Sequence, residues 1–111
     1  MPGGRIGHCE MQIGDSRIMF TDEMPDMPDA TACSPRTLKG TTVGICIYVD
    51  DVDARFERAV AAGATVKRPV ETRFYGDRSG TLEDPFGHVW TISTHVEDVS
   101  PEEMKRRMAT M

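Results

Sequence analysis

An α+β fold is what this sequence predicts: a β-hairpin, a long loop, a β-α-β-β-β module and a short closing helix. Three observations carry the prediction. The alternating run Thr42 to Val49 leads directly into a helical apolar repeat. Asp84-Pro85-Phe86-Gly87 has turn chemistry and sits between two further alternating runs. Ser100-Pro101-Glu102-Glu103 has the residues of a helix start, with Ser as N-cap, Pro in the first turn and Glu at N3.

Taken in order, residues 5–22 form the hairpin. His8, Glu10 and Gln12 alternate with Cys9, Met11 and Ile13, Gly14-Asp15-Ser16 turns the chain, and Arg17 to Thr21 returns it. Residues 23–41 form a linker loop rich in Pro and Asp, in which Met24 and Met27 are candidate gap fillers over a cavity. The module occupies residues 42–96. Val43, Ile45, Ile47 and Val49 make an aliphatic face on its first strand, and Gly44, Cys46 and Tyr48 the opposite one. Asp50 or Asp51 caps a helix to about Ala62, in which Val52, Phe56, Ala59 and Val60 recur at helical spacing and Gly63 supplies the stop. Strands follow from Thr65, from Tyr75 to Glu83 and from Val89 to His95. Residues 100–109 close the chain as a helix, with Val99 and Met104 as its staple.

A length of 111 residues predicts one domain, residues 1–111. A net charge of −5 without a dense basic block argues against a nucleic-acid surface. No apolar run is long enough for a membrane span, and no leader pattern precedes Arg5. Three cysteines, Cys9, Cys33 and Cys46, have neither metal-type spacing nor an even number; reduced thiols in a cytoplasmic protein are the expectation.

If residues 43, 45, 47 and 49 face the helix, then 44, 46 and 48 face the other way. Trp90 and Ile92 then pack under the helix, and Val89, Thr91, Ser93 and His95 share the side of Tyr48. His8 and Glu10, two apart, form a base–orienter pair or two metal ligands, with His95 as the third candidate ligand; against this stands a solvent-facing pair. Cys46 is either a nucleophile or a small strand hydrophobe, and the second is commoner. Arg78 is a fork for an anionic ligand or the partner of Asp77, Asp84 or Glu83. Tyr48 and Tyr75 offer an aromatic wall with hydroxyl handles. His88 faces away from the cavity. Lys67-Arg68 and Lys105-Arg106-Arg107 read as solvated charge.

The motifs Tyr48-Val49-Asp50-Asp51-Val52-Asp53, Ala59-Val60-Ala61-Ala62-Gly63-Ala64 and Asp84-Pro85-Phe86-Gly87-His88-Val89-Trp90 occur here in a telling order. The chain resembles the vicinal oxygen chelate superfamily of glyoxalase, bleomycin-resistance proteins and extradiol dioxygenases. Gly7-His8-Cys9-Glu10-Met11-Gln12, Tyr75-Gly76-Asp77-Arg78 and the last run are similar to its PhnB-like branch. The resemblance implies paired βαβββ half-barrel modules around a shared cavity, the first here lacking its opening strand and helix. It also implies four metal ligands in metal-dependent members. The matching positions are Gly44, Thr91 and Met19, the fourth lying on the absent strand, so no metal and no other cofactor is expected. The leading functional reading is a small-molecule-binding protein with a pocket of His8, Glu10, Cys46, Tyr48, Tyr75, Arg78, Thr91 and Ser93. A second is a superfamily enzyme working through His8 and Glu10, with acid–base chemistry or a relocated divalent metal. A third is a truncated, non-catalytic oligomerising module. The uncovered apolar hairpin face of Cys9, Met11, Ile13, Ile18 and Phe20 predicts a homodimer formed by module pairing or exchange.

Overall fold

The computed structural model describes residues 4–23 and 33–111. By its internal contacts the chain forms two compact units, Met1–Lys39 and Gly40–Met111. The expectation for Met24 and Met27 lies outside the described residues.

In the first unit, β1 (Cys9–Ile13) and β2 (Ser16–Phe20) pair antiparallel. The turn is tight, with Gly14 at φ +57° taking the left-handed conformation that glycine tolerates without a Cβ clash. The register sets Cys9 opposite Phe20 and Met11 opposite Ile18, so the expected apolar face is formed within the hairpin. One element was not foreseen: a single helical turn, α1 (Pro35–Leu38), inside the expected loop. Ser34 caps it by accepting from the Thr37 N–H, and Glu23 accepts from the Ser34 N–H and the Thr37 hydroxyl, both at 2.7 Å.

The second unit holds β3 (Gly44–Tyr48), α2 (Val52–Ala61), β4 (Thr65–Thr72), β5 (Asp77–Glu83), β6 (Val89–His95) and α3 (Pro101–Ala109). The sheet order is β3-β6-β5-β4. β3 and β6 are parallel, and the other pairs are antiparallel. β4 carries Pro69, and its register shifts on either side of Arg68; proline lacks a ladder donor and belongs on an edge strand such as this one.

α2 starts where Asp51 caps the Ala54 N–H and stops at Gly63, whose φ of +116° is the glycine-type ending foreseen. Its buried residues Val52 and Phe56 form the core with Leu82 and Ile92, and Ile47, Val49, Ala59, Val70 and Trp90 pack around them. Thr94 ties the layers together. Its hydroxyl donates to the Val49 carbonyl at 2.8 Å and accepts from the Val52 N–H at 2.9 Å, linking β6 to the end of β3 and the first turn of α2.

Two details of the apolar pattern are corrected. Val43 precedes β3 and is 67% exposed, so it does not join the core. Val60 lies on the solvent side of its helix, at 41%. In α3 the Ser100 cap forms, accepting from the Glu103 N–H. The Glu103 carboxylate does not complete the reciprocal capping bond, because Arg106 and Arg107 hold it and lower its pKa to about 2. Arg107 is no freely solvated charge either. It donates to the Phe74 carbonyl and to Glu97, each at 2.7 Å, and so anchors α3 to the turn before β5. Among the described residues no helix is long and apolar enough to cross a membrane.

Candidate functional site

The face of the sheet opposite α2 is mostly polar because alternation sends most apolar residues of β3, β5 and β6 toward the helix. Gly80, Leu82, Trp90, Ile92 and Ile47 point toward α2. Their neighbours therefore point away. Register aligns Tyr48 with Ser93 and Ser79 in one row, Cys46 with Thr91 and Thr81 in the next, and Asp77 with His95 at the end.

Asp77 organises this face. It is only 8% exposed, and both its oxygens are used: Oδ2 accepts from the Tyr48 hydroxyl at 2.7 Å, and Oδ1 lies 3.0 Å from His95 Nδ1. Tyr48 stands two strands from Asp77, so its side chain spans β6, a reach of about 10 Å between strand axes. Ser93, the residue between them, is 6% exposed. His95 Nε2 lies 2.7 Å from an oxygen of the exposed Asp98. Two carboxylates facing both ring nitrogens favour the imidazolium, which alone can donate from each. Asp98 first and Asp77 second raise the His95 pKa. The His95 bond, aided by Tyr48 and opposed by burial, lowers that of Asp77. The bond to Asp77 and its negative charge raise that of Tyr48.

Arg73 braces the same face. Its Nε donates to the Ser79 hydroxyl, its Nη2 to the carbonyls of Pro69 and Ser79, and its Nη1 to Glu71 at 2.8 Å. Thr81 and Thr91 share a 3.1 Å hydrogen bond. Cys46 is an exposed free thiol on this face.

The expected site residues thus separate. Tyr48, Cys46, Thr91, Ser93 and His95 share one face, while Tyr75, 42% exposed, sits in the turn before β5 and packs edge-on against Phe74. The ion-pair partner anticipated for Arg78 is corrected. Arg78 lies on the α2 side, and its fork closes on Asp53 at 2.8 and 2.9 Å with a further bond to Thr72; this partner is none of the three anticipated. His8 and Glu10 belong to the hairpin unit. They are hydrogen-bonded at 3.0 Å, with Arg17 on the other Glu10 oxygen at 3.3 Å, and are largely exposed. The His88 side chain is exposed, and its N–H bonds to Asp84, which also accepts from Phe86 N and from Trp90 Nε1 at 2.9 Å.

Asp77, Asp98 and Arg73 were missed. The signal for Asp77 was present: closing the Asp84–His88 turn with Glu83 opposite Val89 places residue 77 opposite residue 95.

The positions that match the family's metal ligands do not fit a divalent ion. Gly44 has no side chain, and the neutral Thr91 hydroxyl is engaged with Thr81. Among the described residues of either unit, no three His, Cys, Asp or Glu side chains gather as a metal-holding set.

Comparison with known proteins agrees with the architecture. The model of the Glyoxalase/Bleomycin resistance protein/Dioxygenase superfamily matches residues 1–92. Uncharacterized protein Mb0911c of Mycobacterium bovis is 38% identical over 109 residues, covering 98% of this chain and 72% of that protein. Uncharacterized protein Rv0887c of Mycobacterium tuberculosis is also 38% identical over 109 residues, and 64% of its length is covered. Among solved structures, TioX from Micromonospora sp. ML1 matches with TM-score 0.59 and 27% identity over 80% of this chain and 68% of its own. Protein PA1353 from Pseudomonas aeruginosa matches with TM-score 0.63 and 24% identity, over 84% and 65%, a likeness of fold. With its sheet order, its capped helix and a family match across most of its length, the chain belongs to the glyoxalase/bleomycin resistance protein/dioxygenase superfamily.

Proposed function

We propose that this chain is a small-molecule-binding protein of the glyoxalase/bleomycin-resistance type, holding its ligand on the Tyr48–Asp77–His95 face without the family's metal. The observation that supports it is Asp77, a buried carboxylate held between a phenol and an imidazole on the sheet face opposite α2. Such a preorganised polar set beside exposed aromatic area suits ligand orientation. The test is a thermal-shift screen of small organic compounds with and without EDTA. Ligand-dependent stabilisation that EDTA leaves intact and Tyr48→Phe reduces supports the reading; stabilisation that vanishes with EDTA overturns it.

The hairpin supports a proposal about assembly. Two residues of its apolar face are exposed, Met11 at 39% and Phe20 at 47%, and a second copy of the chain is the cover proposed here. Light scattering on the eluted protein checks this; a folded monomer at micromolar concentration argues against it.

The 3.0 Å contact of His8 with Glu10 keeps a second reading, acid–base or metal-assisted catalysis on the hairpin. One equivalent of bound metal that is lost in His8→Ala would favour it. We also propose a cytoplasmic location, a reading that the free Cys9, Cys33 and Cys46 support.

A further inference from the structure

We infer that the Tyr48 face selects a protonated amine, a ligand that brings positive charge and donates a hydrogen bond to the Tyr48 oxygen. This rests on the binding reading above and adds the ligand's chemistry.

The argument begins with one proton. A phenol has a single O–H, and that of Tyr48 is committed to Asp77 at 2.7 Å, within the range of a hydrogen bond to a charged acceptor. Asp77 cannot turn aside to release it, since it is buried and its other oxygen is held at 3.0 Å by His95. What remains on the Tyr48 oxygen is therefore its lone pairs. A ligand group meeting it must be a donor; a carboxylate or carbonyl would meet oxygen with oxygen.

Charge points the same way. Asp77 and Asp98 flank one imidazolium, which leaves the cluster one negative charge in excess. The half-buried Arg73 on this face has its guanidinium occupied by Ser79, Pro69 and Glu71. A ring completes the site: Tyr48 is 66% exposed while its hydroxyl is held by Asp77, so the flank of the ring is open beside the carboxylate. Aromatic faces beside a carboxylate attract an ammonium group through the ring quadrupole.

The experiment is an amide chemical-shift titration of the full chain with three probes: benzylamine, benzyltrimethylammonium and benzoate. Benzylamine is expected to bind tightest, shifting residues 46, 48, 77, 93 and 95. Tyr48→Phe should weaken benzylamine by about tenfold, as the loss of one hydrogen bond to a charged group predicts. It should leave benzyltrimethylammonium, which has no donor, within about twofold. Benzoate binding this face as tightly as benzylamine overturns the inference while sparing the binding reading. So does an unchanged benzylamine affinity in Tyr48→Phe. If none of the three probes shifts these residues, both readings fall. The ranking of the three probes uses the unmodified protein alone, so it decides the matter even if the variant folds poorly.

Discussion

The ring of Phe56 occupies the space that a side chain on Gly80 would need. A Cβ built there would stand 2.6 Å from the Phe56 ring and 2.9 Å from Val70. The helix can rest this close to β5 only because residue 80 ends at its Cα. Gly80→Ala should therefore cost about 1–3 kcal/mol of stability, the usual penalty of overpacking. Denaturant titration measures it. Adding Phe56→Leu should recover part of the loss, because the two sites share one volume; strictly additive losses would contradict the steric account.

The pH dependence of stability follows from His95 and Asp77. His95 has its folded pKa raised above the ordinary 6.5, so its contribution is complete below that value and is lost as pH rises through the raised one. Asp77 has its folded pKa lowered from 3.8, so its contribution is present above 3.8 and is lost as pH falls through the lowered value. The pair stabilises most in the mildly acidic window between them. The difference in Tm between the native protein and His95→Gln should be largest near pH 5–6, and should shrink above the raised His95 pKa. A difference that stays constant from pH 4 to 9 would count against the pairing.

Arg78 and Asp53 join β5 to α2 on the side away from Tyr48. Arg78→Gln should leave benzylamine affinity within about twofold, in contrast to Tyr48→Phe. The same titration checks this, and a large loss would return Arg78 to the ligand site.

Asp84 holds its turn with one oxygen and the indole of Trp90 with the other. Asp84→Asn keeps an acceptor for the turn, but its amide nitrogen cannot accept from the indole. The expected cost is about 1–3 kcal/mol for the orphaned donor. Trp90 is the chain's single tryptophan, so its fluorescence reports the change without interference. An unaltered emission spectrum would show that the indole bond does not define its setting.

What the sequence made legible was what alternation and capping settle locally. Ile47 and Val49 could be assigned to the helix and Cys46 and Tyr48 to the other face, because neighbouring strand residues must point apart. Ser100 and Asp51 could be read as caps because their side chains act within three residues. Arg78 was misread because its partner depends on where α2 settles across the sheet, which no local pattern encodes. Arg107 was misread for the same reason: its carbonyl partner is 33 residues away. The turn at Pro35–Leu38 escaped notice because four residues are too few to show an apolar period, although Ser34-Pro35 repeats the opening of α3.

The parallel neighbours β3 and β6 stand at opposite ends of their module, Gly44 beside Val89. During synthesis the ribosome therefore releases β3 long before its partner exists. The strand emerges with the hydrogen-bonding groups of both its edges unmet, and the helix that follows has no finished surface to settle on until His95 has left the exit tunnel. Assembly of this module thus waits for β6, and a chain cut short before that strand would leave β3 a sticky ribbon for chaperones and proteases to find.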